Sequence, residues 1–126
     1  MSNGFQERLI SPAARSAGDG LTLDIRLPWY RSLPLSTVEI ARLEIDGRPV
    51  AAGDISLEID GRSHPVNALG DLVDVWWYVL DSGLLHVRVP GLGTGEHDVD
   101  LTVNLYPPYI PGLTWVTQSR RRLRAA

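Results

Sequence analysis

The sequence predicts an all-β fold, an antiparallel β-sandwich of seven to nine short strands forming a single domain over residues 1–126. Three observations carry that expectation. Apolar and polar residues alternate at period 2 through most of the chain, the signature of strands with one buried face. Turn signals rich in Gly, Asp and Pro punctuate the chain at short intervals. No window sustains the i, i+3, i+4 apolar spacing that a helix of ordinary length needs.

Taken in order, Leu21, Leu23, Ile25 and Leu27 alternate with Thr22, Asp24 and Arg26, predicting a strand that ends at Pro28. The next stretch, Trp29-Tyr30-Arg31, lies between Pro28 and Pro34 and cannot be a regular strand or helix. Val38 and Ile40 begin another alternation, but Leu43 and Ile45 continue it on the opposite parity. A one-residue slip flips faces, so a β-bulge is expected near Ala41–Arg42. "LEIDGR" occurs at 43–48 and again at 57–62. Asp-Gly between β-formers favours a two-residue type I′ hairpin turn, because both central residues need positive φ. Further strands follow from Ile55-Leu57-Ile59, from Leu85-Val87-Val89, and from Val99-Leu101-Val103-Leu105. Residues 52–54 and 91–96 are turn clusters.

Composition narrows the function classes. The chain has no cysteine, which removes disulfides and thiolate metal sites. No apolar run approaches membrane-helix length, and MSNGFQERLI lacks a signal-peptide pattern, so a cytoplasmic protein that binds no membrane is expected. All 12 basic residues are Arg, against 15 acidic ones, for a net charge of −3. Arg120, Arg121, Arg122 and Arg124 crowd the end, leaving an acidic body that disfavours nucleic acid. Residues 119–126 read as a frayed Arg-rich tail.

No catalytic residue is assigned to this chain. Among the histidines, His64 follows a turn, His86 sits on the solvent parity of its strand, and His97 opens a strand. None has the spacing of a metal site, so no metal is assigned either. Glu96-His97-Asp98 resembles an acid–base cluster only in one dimension, since adjacent strand residues point to opposite faces. There is no G-x-S-x-G elbow, and the glycines of "GLGTGEH" precede a strand rather than a helix.

The unusual chemistry is aromatic. Trp, Tyr and Arg are enriched at binding hot spots, and Trp29, Tyr30 and Arg31 stand together. In "VDVWWYVL", Val75, Trp77 and Val79 share one face, while Trp76 and Tyr78 share the other; one pair of faces meets the core and the other carries aromatics outward. "YPPYIPGLTW" holds Tyr106, Tyr109 and Trp115 in a segment stiffened by three prolines, which lowers the entropy lost on binding. Trp29, Tyr30, Arg31, Trp76 and Tyr78 are therefore the candidate partner contacts.

"IRLPWYRSLPLSTVE", "IDGRPV", a Trp-rich stretch, "GLGTGEHDVDLTV" and "YPPYIP", in that order, resemble the small β subunit of bacterial C-glycoside deglycosidases. The likeness runs from Leu21 to Pro111. Family members have Tyr and Gly where this chain has Trp29 and Ser32, and a Ser-Tyr pair followed by Met-Pro near "LYPPY". The resemblance implies a β-sandwich bound to a larger TIM-barrel α subunit as an αβ heterodimer or higher heteromer. That subunit would hold a divalent metal, manganese, and the acid–base residues. The assembly would be a carbon–carbon lyase, cleaving a 3-keto sugar from a flavonoid or similar aromatic aglycone by deprotonation at C2 and elimination. The isolated chain would be inactive. Segment 29–31 would dock the barrel near its mouth, and Tyr106, Tyr109 and Trp115 would form a lid over the aglycone. The alternative is a stand-alone carbohydrate- or ligand-binding sandwich, with Trp76 and Tyr78 as a stacking platform.

Overall fold

The computed structural model describes residues 4–17 and 19–125, and strands are its main regular structure. A six-residue helix, α1 (Gly4–Leu9), leads into β1 (Ile10–Ala17) and β2 (Gly20–Arg26). There follow β3 (Leu33–Pro34), β4 (Val38–Ile45), β5 (Arg48–Pro49), β6 (Ile55–Ile59) and β7 (Arg62–Pro65). The chain ends with β8 (Trp76–Trp77), β9 (Ser82–Arg88), β10 (Gly95–Leu105) and β11 (Trp115–Ala125). Single 3₁₀ turns precede β4 and β6, and a longer one spans Val66–Asp71. No helix among the described residues is long and apolar enough to cross a membrane.

Among the described residues nine strands make one sheet in the order β5-β4-β10-β11-β1-β2-β9-β6-β7, and β3 pairs with β8 in a second, small sheet. The large sheet curls, so the layers of the expected sandwich are the two arms of one sheet. The junction is the parallel pairing of β1 with β11 (Ala13↔Arg124, Ala14↔Ala125), while the other pairings are antiparallel. Both arms contribute to a single core: Leu43, Ile45, Val99, Leu101 and Leu105 from one, Leu21, Leu23, Ile25, Leu57 and Leu85 from the other. Burying each such side chain stabilises the fold by about 1.5–3 kcal/mol before entropy is counted.

The strand expectations are met where alternation was clear: β4, β6 and β10 cover the anticipated stretches, and β2 and β9 stop one residue short of Leu27 and Val89. The bulge is at Ala41: Val103 faces Ile40 and Thr102 faces Arg42, leaving Ala41 without an opposite residue. Both Asp-Gly turns form, with φ of 52° at Asp46 and Asp60 and 80° and 78° at Gly47 and Gly61. They close the Ile45↔Arg48 and Ile59↔Arg62 hairpins. The two sheet edges, β5 and β7, are short and end in Pro49 and Pro65, which blunts further strand addition.

The frayed-tail expectation for residues 119–126 is corrected as far as Ala125, and Ala126 lies outside the described residues. Residues 115–125 form β11, paired with β10 along its whole length, from Leu105↔Trp115 to Gly95↔Ala125. Arg120, Arg122 and Arg124 belong to the outward half of an alternating strand whose inward half is Thr117, Ser119, Arg121, Leu123 and Ala125. Such small and polar inward residues hide the period-2 signal. The basic end and the acidic body are two sides of one ladder: Arg120 Nε lies 2.9 Å from Asp100 Oδ2, and Arg122 Nε lies 3.0 Å from Glu96 Oε2.

Candidate functional site

After β2 the chain runs through buried Leu27 and Pro28, and the Trp29 amide donates to the Leu27 carbonyl at 2.8 Å. This tight turn sends the Trp29 indole inward, where it is 6% exposed, edge-on to Trp115 with centroids 5.5 Å apart. Its Nε1–H donates to the Tyr109 hydroxyl across 80 residues of sequence. Tyr30 leans on the Trp29 ring at 5.0 Å, and the Arg31 guanidinium sits 4.8 Å above the Tyr109 ring. The Tyr30 hydroxyl pairs with that of Tyr109, which holds its pKa above the ordinary 10; partial burial and the Tyr109 charge add to this, and Arg31 opposes it. The 29–31 segment and the 106–115 loop, expected to serve separately as dock and lid, are thus one cluster. Trp29, expected as a partner contact, is buried in the isolated chain, its ring between those of Tyr30 and Trp115. Tyr30, Arg31 and Tyr109 are the cluster's exposed members.

The second aromatic group attaches directly to the first. Leu33 pairs with Trp77 and Pro34 with Trp76, while the Val79 amide donates to Ser32 Oγ at 2.9 Å. Trp77 is fully buried, and its Nε1–H donates to the Asp81 carbonyl at 2.9 Å. Alternation leaves Trp76 and Tyr78 exposed, as expected for the outward face. The same parity carries Leu80 outward, at 84% exposure, and Val73 and Ile110 are also exposed. These three escaped the sequence reading, although Leu80 simply extends the 76, 78 alternation. Of these, Leu80 shares a cleft with the exposed Tyr30, and Arg31 lies over the exposed Tyr109. Exposed patches of this kind mark binding sites.

Of the expected lid residues, Tyr109 joins Trp29, and Trp115 is half-buried behind it. Tyr106 stands apart: its hydroxyl donates to Glu39 Oε1 at 2.7 Å, and that carboxylate holds the phenol pKa up.

The histidines occupy three unrelated places. His86, half-exposed, lies between Thr22 Oγ1 at 3.1 Å and Glu58 Oε1 at 3.0 Å on the outer sheet face. His64 is on edge strand β7. His97 is buried, with Nδ1 2.8 Å from Asp46 Oδ2 and Nε2 3.2 Å from the Gly93 carbonyl. Glu96 and Asp98 point away from it, as strand alternation requires. Among the described residues no three His, Cys, Asp or Glu converge as a metal set.

Comparison with known proteins identifies the lineage of this architecture. The family model for the C-glycoside deglycosidase beta subunit matches residues 5–109. A C-glycoside deglycosidase beta subunit of Microbacterium trichothecenolyticum is 35% identical over 96 residues, spanning 76% of this chain and 73% of that protein. A 3'-dehydrocarminate deglycosidase beta subunit of a Microbacterium species is 34% identical over 110 residues, spanning 85% and 82%. A C-glycoside deglycosidase beta subunit of Arthrobacter globiformis is 31% identical over 106 residues, spanning 82% and 81%. The match of the family model over most of the sheet, joined to these relatives, shows that the chain belongs to the C-glycoside deglycosidase beta subunit family.

Proposed function

We propose that this chain is the accessory β subunit of a C-glycoside deglycosidase and docks a larger catalytic α subunit through its exposed aromatic side chains. The observation that carries the reading is the set of large side chains left exposed, Tyr30, Trp76, Tyr78 and Leu80, with Arg31 over the exposed Tyr109, in a chain whose relatives are named as subunits. The partner is a TIM barrel, and the assembly cleaves the C–C bond between a 3-keto sugar and an aromatic aglycone such as a flavonoid. The sugar ketone acidifies the proton at C2, a base of the partner removes it, and the aglycone leaves as its carbon is protonated. This chain supplies docking surface and shape rather than the acid or the base.

A divalent ion, manganese, belongs to the partner in this reading. The residues described here do not fit it: His97 is held by Asp46 and a carbonyl, His86 by Glu58 and Thr22, and no third ligand joins either. No step is assigned to a metal on this chain.

Affinity purification of the tagged chain from its own host, followed by mass spectrometry, tests the proposal. The expected result is a stoichiometric partner of roughly 300–400 residues, in the range of a TIM barrel. The copurified pair should cleave a 3-keto C-glycoside that neither chain cleaves alone. Tyr30→Ala with Tyr78→Ala should cut the yield of the pair. A partnerless monomer that binds saccharides through Trp76 and Tyr78 would replace this reading with that of a carbohydrate-binding module.

A further inference from the structure

A cleft of about 620 Å³ opens beside the aromatic cluster, between the turn after β2 and the segment leading into β9. Leu27, Pro28, Trp29 and Tyr30 line one side, and Val79 and Leu80 line the other. Its size is that of a site for a small organic molecule, and its lining is apolar and aromatic with few polar groups, as such sites are. Tyr30 makes a defined wall, because its ring rests on Trp29 and its hydroxyl is tied to Tyr109. The charged side chains among the described lining residues are Arg8 and Arg26, and no carboxylate is among those described residues. Arg26 is oriented by donating from Nη1 to the Leu80 carbonyl at 2.6 Å, which also fixes the facing wall. In a chain of net charge −3, two arginines over an aromatic cleft set the sign of what fits there.

We infer that this cleft binds a flat aromatic ring carrying an anionic oxygen, a carboxylate or a phenolate. The ring lies against Tyr30, Pro28 and Leu80, and the oxygen meets the guanidinium groups at the rim. Arg suits this role because its planar fork matches a carboxylate and also stacks on rings. The inference rests on the proposed assembly only for the natural ligand, which there is the aglycone held at the seam between subunits; the cleft itself belongs to this chain.

The test uses the full-length chain and a matched pair of probes, 2-naphthoate and the neutral 2-naphthylmethanol, titrated by calorimetry. The chain should bind naphthoate about tenfold more tightly than the alcohol, the difference expected for charge-assisted hydrogen bonds. Arg26→Gln should erase that preference, Arg26→Lys should keep most of it, and Tyr30→Ala should weaken both probes alike. Circular dichroism confirms that each variant is folded. Equal affinity for the two probes, or a preference unchanged in Arg26→Gln and in Arg8→Gln, would overturn the inference. The titration is repeated on the copurified pair, where the preference should persist; its disappearance would mean that the partner fills the cleft, and would also overturn it. A pair that assembles normally without this preference defeats the inference alone, whereas failure to assemble leaves the result on the single chain unaffected.

Discussion

His97 and Asp46 clasp two loops: the imidazole Nδ1 lies 2.8 Å from Asp46 Oδ2, tying the first Asp-Gly turn to the start of β10. Asp46 Oδ1 also accepts from the Asp98 amide at 2.8 Å, and His97 Nε2 meets the Gly93 carbonyl at 3.2 Å. Both ring nitrogens face acceptors, so the doubly protonated imidazolium satisfies the site best.

The hydrogen bond to Asp46 holds His97 above its ordinary 6.5, against the opposing effect of burial and with help from the Gly93 carbonyl. The Asp98 amide first, and then His97, hold Asp46 below its ordinary 3.8. A raised histidine stabilises the fold fully below 6.5 and loses that contribution as pH rises through its folded value. A lowered aspartate contributes fully above 3.8 and loses it as pH falls through its folded value. The clasp is therefore strongest between those limits. The wild-type Tm should fall more steeply than that of His97→Leu when pH rises from about 6 to about 9. Parallel curves would show that the clasp carries no pH dependence.

Trp76 and Trp77 are neighbours with opposite roles. Trp77→Ala should cost about 3–5 kcal/mol in urea unfolding, because it empties a fully buried ring site. Trp76→Ala should change stability by less than about 0.5 kcal/mol, yet reduce recovery of the αβ pair. Equal stability losses would place both rings in the core.

Tyr109 organises the aromatic cluster by accepting from Trp29 and pairing with Tyr30. Tyr109→Phe should lower the Tyr30 phenol pKa toward 10, read by NMR titration of labelled tyrosines. An unmoved Tyr30 would separate the two segments.

Gly20 lies where β2 passes β9 at close range. A Cβ there would stand 1.9 Å from the Val87 carbonyl oxygen, a backbone atom that cannot swing aside. Gly20→Ala should destabilise by more than about 3 kcal/mol, whereas Gly53→Ala, which meets open space, should be nearly neutral. Denaturation midpoints of the two variants decide the matter.

How much of this was legible depended on whether a residue's neighbours along the chain carry the signal. The bulge at Ala41 is readable because a parity change between Ile40 and Leu43 has one geometric meaning. The Asp-Gly turns are readable because positive φ is demanded locally. The outward pair Trp76 and Tyr78 follows from alternation once Trp77 is taken into the core. β11 was hidden because Thr117, Ser119 and Arg121 hold inward positions that a hydrophobic pattern cannot flag.

By itself, then, the sequence determined the β-class, the main strand stretches and their inward faces, the Asp-Gly hairpin turns and the family, all properties written in period-2 alternation, turn chemistry and motif order. Only the tertiary structure decided that Trp29 is buried while Tyr30 is surface, that the arginine-rich end is a strand answering Asp100 and Glu96, and that His97 is clasped by Asp46. Each of those facts joins residues far apart in sequence, and such a contact exists only once the curled sheet has brought its arms together. The energy of burying a ring or pairing a charge is set by the groups around it in space, which local sequence does not name.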